Sequence, residues 1–193
     1  MPKLIVVIAS TRPGRAGLAV ARWFVDRAEA DGRFDVEVVD LAELGLPMLD
    51  EPKHPRLRQY TRRHTADWSA TVERGDAFVF VTSEYNHGYP APLKNAIDYL
   101  HHEWHYKPVG FVSYGGVSAG TRAVQQLKQV VSAVKMTPLF EAVNIPFHTQ
   151  FIGDDKAVHA NEIMDQAAEA MLSELLRVEE ALRPLRSQAA STR

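Results

Sequence analysis

The stretch that decides the fold is Leu4-Ile5-Val6-Val7-Ile8, followed directly by Ala9-Ser10-Thr11-Arg12-Pro13-Gly14-Arg15-Ala16-Gly17. The first five residues are apolar without interruption and mostly β-branched, which predicts a strand covered on both faces. The polar segment leads into a helical pattern from about Gly17 to Ala30. A buried strand, a polar loop and an amphipathic helix make up one β-α unit of a parallel sheet.

The same alternation of strand and helix continues along the chain. Further strands are predicted at Val36–Val39, Phe78–Val81, Val109–Val112 and Leu139–Ile145, and helices over Leu57–Arg74, Pro90–Leu100, a segment capped by Ser118, and Ile163–Leu176. Short connections and right-handed crossovers restrict the strand order, and we expect 2-1-3-4-5 in a three-layer, doubly wound α/β fold. Residues 1–183 are predicted to form one domain, and residues 184–193 a disordered tail.

Composition excludes several classes of protein. The 193 residues include no cysteine, which rules out disulfides, zinc-thiolate sites, iron–sulfur clusters and thiol catalysis. A net charge of −2 is too balanced for a chain that coats nucleic acid or anionic lipid. No apolar run near the start approaches the roughly 20 residues of a membrane span, and no signal region precedes the first strand. We therefore expect a cytoplasmic protein that neither binds nucleic acid nor crosses a membrane.

The loop after the first strand has the composition of a phosphate site. In open α/β sheets ligands bind beyond the carboxyl ends of the strands. Free N–H groups at a helix start attract anions, glycine lets the backbone approach closely, and arginine adds charge-assisted bonds. The loop has neither the Gly-Lys-Ser/Thr of a nucleoside-triphosphate loop nor the Gly-x-Gly-x-x-Gly dinucleotide fingerprint. A terminal phosphate monoester suits it, and an ordinary turn with solvated arginines is the alternative.

The loops after the third and fourth strands have the composition of a site for a flat ring. The first of them contains Glu84-Tyr85-Asn86-His87-Gly88, and the second contains Ser113-Tyr114-Gly115-Gly116. A heteroaromatic ring needs stacking faces, close approach of the backbone, and amide N–H groups directed at its heteroatoms. The three loops together predict a ligand with a phosphate at one end and a flat polar ring at the other.

These segments resemble the NAD(P)H-dependent FMN reductases, a family with a flavodoxin-like fold that includes quinone, azo-dye and chromate reductases. The segment from Glu84-Tyr85-Asn86 to Pro92-Leu93-Lys94-Asn95-Ala96-Ile97-Asp98 is the most specific match. Two positions depart from the family pattern: Ala9 stands where many members have Gly, and Ser83 where many have Pro. The resemblance implies that FMN is bound by Ser10, Arg12, Arg15, Ala16 and Gly17 at its phosphate, and at its ring by Glu84, Tyr85, Asn86, His87, Gly88, Ser113, Tyr114, Gly115 and Gly116.

The implied activity transfers a hydride from NAD(P)H to bound FMN and then two electrons to a quinone, azo compound, free flavin or similar small acceptor. No residue is assigned an acid–base role, because the cofactor carries the chemical step. A ping-pong mechanism is expected if one open site serves both substrates. One alternative is an FMN-binding electron-transfer or sensing module without turnover of its own. Another is a Rossmann-type dehydrogenase or nucleotide binder, in which Asp40 would bind a ribose.

Two further groups of residues bear on metals and assembly. His101 and His105 are four residues apart, but nothing at a matching spacing completes a ligand set with them and His102, so no metal site is predicted. The resemblance implies a homodimer or homotetramer. A cluster of aromatic residues around a short helix, which a single domain would leave uncovered, favours the same assembly; it consists of Tyr89, Trp104 and Tyr106.

Overall fold

The computed structural model describes the backbone of residues 1–191 and the side chains of residues 1–188. Its sheet has five parallel strands in the order β2-β1-β3-β4-β5. The strands are β1 (Lys3–Ile8), β2 (Asp35–Asp40), β3 (Ala77–Ser83), β4 (Pro108–Tyr114) and β5 (Thr137–Ile145). The predicted fold class and the 2-1-3-4-5 order are confirmed.

Helices cover both faces of the sheet and enclose two apolar cores. They are α1 (Gly17–Asp31), α2 (Leu41–Leu44), α3 (Arg63–Arg74), α4 (Ala91–Asp98), α5 (Thr121–Ala133) and α6 (Glu162–Ser191). One core lies between the sheet and the pair α1 and α6, and the other between the sheet and the set α3, α4 and α5. Within the part of the chain that the structure describes, no helix is both long and apolar enough to cross a bilayer.

The sheet is covered by helices on both faces, which explains why the first strand is apolar without an alternating pattern. Every residue of β3 and β4 is buried, because helices pack on both sides of them. The register pairs Ile8 of β1 with Val81 of β3, and Ser83 of β3 with Tyr114 of β4. The carboxyl ends of β1, β3 and β4 therefore meet at one edge of the sheet, where the three polar loops begin.

The helix predicted over Leu57–Arg74 is shorter than expected. A single 3-10 turn covers Pro55–Leu57, Arg58 adopts a left-handed conformation with φ of 50°, and α3 begins only at Arg63. The Glu51 carboxylate accepts hydrogen bonds from the backbone N–H groups of Thr61 and Arg62, both at 2.9 Å. The Glu51 carboxylate therefore fixes the start of α3. The apolar periodicity of the helical segment does not reveal this contact.

Two other local predictions are wrong. Ser118 does not cap α5: the N-cap is Gly120, with φ of 81°, and the Ser118 hydroxyl donates instead to Glu84. The tail expected at residues 184–193 is helical through Ser191, because α6 continues past Pro184. Arg186, beyond that proline, contacts buried Glu179 and donates to the carbonyl of Tyr106 at 3.1 Å. Residues 192 and 193 lie outside the described part of the chain.

Candidate functional site

The loop after β1 brings a buried hydroxyl to the start of α1. Ser10 is fully buried, and its hydroxyl lies beside the Tyr114 phenol. Gly17 opens α1 directly above it: a Cβ there would lie 2.8 Å from the Tyr114 hydroxyl and closer still to the Ser10 Oγ. Position 17 therefore requires glycine. Ala16 precedes it as the N-cap and leaves no side-chain oxygen over the helix end.

The two arginines of this loop have different environments. Arg12 is exposed. The Arg15 guanidinium forms a two-pronged ion pair with Asp40, at the end of β2, and also donates to the carbonyl of Ser10. The Arg15 and Asp40 side chains are only 11% and 6% exposed. Arg15 therefore holds the loop against β2, while Arg12 remains directed to solvent.

The structure disfavours Asp40 as a ribose-binding acid. One carboxylate accepts both prongs of the Arg15 pair and also the Ala42 N–H at 3.0 Å, as the N-cap of α2. A carboxylate in this arrangement fixes its own chain. The dehydrogenase alternative therefore loses the residue on which it depends.

The loop after β3 forms a two-residue hairpin. Tyr85 and Gly88 exchange backbone hydrogen bonds of 2.9 Å, and the residues between them, Asn86 and His87, have φ of 49° and 69°. Two positive φ values define a type I′ turn, in which the second position usually requires glycine. Tyr85 is 43% exposed at this turn. Gln126 of α5 donates to the His87 carbonyl at 2.9 Å and holds the hairpin from outside.

Glu84 links this hairpin to α5. Its carboxylate accepts hydrogen bonds from the Arg122 Nε at 2.6 Å, the Arg122 backbone N–H at 3.2 Å and the Ser118 hydroxyl at 3.1 Å. Burial acts to raise the pKa of Glu84, but the bonds from Arg122 and Ser118 hold it below its ordinary value. Glu84 is therefore an ionised link between the second and third loops.

The loop after β4 rests on the end of β5. The Ser113 hydroxyl donates to Asn144 at 2.9 Å, and Gly115 donates its N–H to the Ile145 carbonyl at 3.2 Å. Gly116 accepts the Phe147 N–H at 3.1 Å, and is itself exposed. The Tyr114 side chain is 4% exposed. Burial raises the pKa of its phenol, and the adjacent Ser10 and Ser83 hydroxyls partly offset the rise.

The residues after β5 are the main part of this edge that sequence reasoning missed. His148 donates its backbone N–H to the Gly115 carbonyl, its Nδ1 lies 3.0 Å from the same oxygen, and its ring meets that of Tyr114 edge-on. Phe147 is 49% exposed beside it. The signal in the sequence was an aromatic residue and a histidine just beyond the Pro146 that follows β5. Arg122 was missed too, because its partner Glu84 lies 38 residues away in the sequence.

The histidine cluster lies away from this edge. The rings of His101, His102 and His105 are 4.8–5.0 Å apart between centroids, around a 3-10 turn at His102–Trp104. Arg56 donates from its Nε to the Nε2 of His101 at 3.1 Å. Burial and the Arg56 charge lower the pKa of His101. Over the residues described, no set of three or more His, Asp or Glu side chains is placed to hold a metal ion.

A doubly wound sheet in this order, with three polar loops at its carboxyl edge, defines a flavodoxin-like protein. FerB of Paracoccus denitrificans, a flavoenzyme NAD(P)H:(acceptor) oxidoreductase, has a similar fold, with a TM-score of 0.70 at 20% identity over 95% of this chain and 98% of its own. An NAD(P)H-dependent FMN reductase of Schizosaccharomyces pombe is 43% identical over 149 residues, 75% of this chain and 74% of the relative. LOT6, the NAD(P)H-dependent FMN reductase of Saccharomyces cerevisiae, is 35% identical over 86% of this chain and 95% of its own.

Residues 2–150 match the family described as NADPH-dependent FMN reductase, and the chain belongs to that family of FMN-using, NAD(P)H-dependent oxidoreductases. The residues at the carboxyl edge fit an FMN molecule. The N-cap Ala16 leaves the first N–H groups of α1 without a side-chain cap, Gly17 lets the Ser10 and Tyr114 side chains pack against the helix start, and Arg12 adds an exposed positive charge.

Proposed function

We propose that the three loops hold FMN with its phosphate at the β1 loop and its ring between the β3 and β4 loops. The arrangement at the start of α1 carries this proposal: helix N–H groups that no side chain caps, and an exposed arginine in the same loop, suit a phosphate dianion. Bound FMN would supply the redox chemistry: a hydride is accepted from NAD(P)H, and two electrons are passed to the acceptor.

The residues of the site divide into contacts and supports. Contacts to the phosphate come from Ser10, Arg12 and the backbone of Ala16 and Gly17, and contacts to the ring from Tyr85, Asn86, His87, Gly88, Tyr114, Gly115 and Gly116. The supporting residues hold those loops in place; they are Arg15, Glu84 and Ser113. The supports act through ion pairs and hydrogen bonds inside the protein, so each loop keeps its shape without the cofactor.

The acceptor we propose is a flat, small molecule such as a quinone, an azo compound or a free flavin. Three partly exposed apolar side chains surround the ring loops: Tyr85 at 43%, Phe147 at 49% and Val117 at 78% exposure. Apolar surface on loops that contact each other suits a planar aromatic molecule. No charged patch for a protein partner is needed, in keeping with a net charge of −2.

One open face of the ring would serve NAD(P)H and the acceptor in turn, which makes the kinetics ping-pong. Initial-rate plots at varied NAD(P)H and several fixed benzoquinone concentrations should give parallel lines. Intersecting lines would refute the shared site. Failure of the protein to oxidise NAD(P)H with any small acceptor, while FMN is bound, would favour an electron-transfer module instead. The expected homo-oligomeric assembly and cytoplasmic location stay predictions.

A further inference from the structure

A small pocket between α2 and α4 lies beside the three loops of the site but outside them. Its volume is about 180 Å³. Helix α4 begins three residues after Gly88, the last residue of the hairpin, and α2 begins directly after Asp40, which pairs with Arg15 of the β1 loop. One wall of the pocket therefore continues from the proposed ring loop, and the other from the residue that anchors the proposed phosphate loop. The pocket is lined by Leu41, Leu46, Met48, Ala91, Pro92 and Asn95.

The side chains that line this pocket are apolar apart from one amide. That amide belongs to Asn95, which is 8% exposed and bonds to the backbone from both ends. Its Nδ2 donates to the Pro47 carbonyl at 2.7 Å, and its Oδ1 accepts the Leu49 N–H at 2.9 Å. The phosphates and riboses of NAD(P)H would lose water here without a charged partner in return. The pocket therefore suits an apolar group.

Met48 is exposed beside this pocket because its neighbours hold it there. Its side chain is 77% exposed, although the residues on both sides of it, Pro47 and Leu49, are fixed by Asn95. The hydroxyl of buried Tyr99 also lies 3.0 Å from the Pro47 carbonyl. A methionine side chain adapts to ligands of different shape, and an apolar side chain fixed in solvent next to an apolar pocket marks a binding surface.

We propose that the pocket between α2 and α4 receives an apolar group of the electron acceptor, and that Met48 is a specificity-determining residue for that group. This inference rests on the proposed function, in which a flat acceptor is reduced at the neighbouring ring loops. A cavity of about 150 Å³ holds a benzene molecule, so this pocket has room for one group of that size. It therefore favours acceptors that carry such a group beside the reducible ring, as the fused ring of a naphthoquinone does.

The test compares naphthoquinone with benzoquinone, which lacks the fused ring, on FMN-loaded wild type and Met48→Gln. Glutamine is as long as methionine but places an amide against the apolar group. The ratio of kcat/KM for naphthoquinone to kcat/KM for benzoquinone should fall about tenfold in the variant. The Kd of naphthoquinone for the oxidised protein, from calorimetry, should rise by a similar factor. Ala91→Leu, at an exposed position, fills the pocket without a polar group and should lower the ratio as well.

Leu57→Gln is the matched control. Leu57 is 58% exposed in the same connection between α2 and α3, but it does not line the pocket, so this variant should keep the wild-type ratio. A wild-type ratio and a wild-type naphthoquinone Kd in Met48→Gln would overturn the inference. An unchanged ratio together with a smaller sedimenting species would overturn it too, because the pocket would then face a second copy of the chain. If wild-type protein oxidises no NAD(P)H with benzoquinone, the proposed function fails instead.

Discussion

Arg12 and Arg15 lie in one loop, three residues apart, yet their surroundings assign them different tasks. Arg15 is nearly buried against Asp40, whereas Arg12 is exposed. The sequence makes both arginines candidates for binding phosphate, because both lie in a glycine-containing turn. It does not show that Asp40, which lies 25 residues after Arg15, forms an ion pair with Arg15. Pairing across the sheet decides which arginine remains available.

Arg12→Ala should weaken FMN binding by about one to two orders of magnitude. A charge-assisted hydrogen bond contributes roughly 1.5–3 kcal/mol, and each 1.4 kcal/mol is a factor of about ten in affinity. The unfolding temperature should change little, because the side chain is exposed. Isothermal titration calorimetry measures the affinity. A folded variant with wild-type affinity would remove Arg12 from the phosphate site.

Arg15→Ala should instead lower the free energy of unfolding, by about 3 kcal/mol or more, because it leaves the Asp40 carboxylate buried without its partner. Chemical denaturation measures this loss. The double variant Arg15→Ala/Asp40→Asn should recover part of it, since no unpaired charge remains. A single variant as stable as wild type would show that the ion pair does not hold the loop.

At the scale of elements, the ion pair between Glu84 and Arg122 joins the β3 loop to α5. Its pH dependence follows from the lowered pKa of Glu84. A carboxyl whose pKa is lower in the folded than in the unfolded state stabilises the fold fully above its unfolded pKa, about 4.5, and loses this effect as pH falls through the folded pKa. The difference in unfolding temperature between wild type and Glu84→Gln should therefore be largest near neutral pH.

That difference should shrink as the pH is lowered below about 4.5. Thermal unfolding followed by circular dichroism from pH 7 to pH 3.5 measures it. Asp67→Asn is a suitable control, because its partner Arg63 is 93% exposed and the pair joins residues of one helix. A pH-independent difference for Glu84→Gln would contradict an ionised link between the loops.

Lys107 gives a second test at this scale, at the opposite edge of the sheet. Its ammonium donates to the carbonyls of Val72 and Glu73, at 2.7 and 3.0 Å, and so covers the end of α3. Burial lowers the pKa of Lys107 to about 8. Between pH 8 and the ordinary value of 10.5 the unfolded chain binds more protons than the folded one, so stability rises with pH in that window.

Urea denaturation of wild type and Lys107→Met between pH 7.5 and pH 10.5 tests this sign. The free energy of unfolding of wild type, relative to that of the variant, should increase across the window with a slope of at most about 1.4 kcal/mol per pH unit. A flat difference would mean that Lys107 keeps an ordinary pKa in the folded protein, and a falling one that its pKa is raised there; either would contradict the prediction.

At the scale of elements, some features could be predicted from the sequence and others could not. The strands could be predicted, because β3 and β4 are apolar along their length and buried on both sides. The hairpin at Asn86-His87 could not, because histidine occupies the position where a type I′ turn normally has glycine. The start of α3 depends on Glu51, a residue outside the helical pattern. Local pattern predicts elements, and contacts between distant residues set their ends.

For the whole molecule, topology made the site predictable. Adjacent parallel strands bring their carboxyl ends together, so three loops far apart in sequence were expected at one edge, and they lie there. The fourth segment, with Phe147 and His148, was missed because only the loops after the first, third and fourth strands were expected to contribute to the site. The prediction of a homo-oligomer rested in part on Trp104, which is 1% exposed and packs against Trp68 and Phe78 within its own chain.

The oligomer prediction now rests on the family resemblance. Sedimentation at micromolar concentration should show a species of two or four chains, each of 21.6 kDa. A single 21.6 kDa species over the whole concentration range would contradict it.

The central claim is that this chain binds FMN at the β1, β3 and β4 loops and uses it to oxidise NAD(P)H. Anaerobic mixing of FMN-loaded protein with one equivalent of NAD(P)H, followed in the visible flavin absorbance, tests it most directly. The absorbance should be lost on mixing and restored by one equivalent of benzoquinone, and Arg12→Ala should require far more FMN to reach the same loading. Protein that takes up no FMN, or bound flavin whose absorbance NAD(P)H leaves unchanged, would contradict the account.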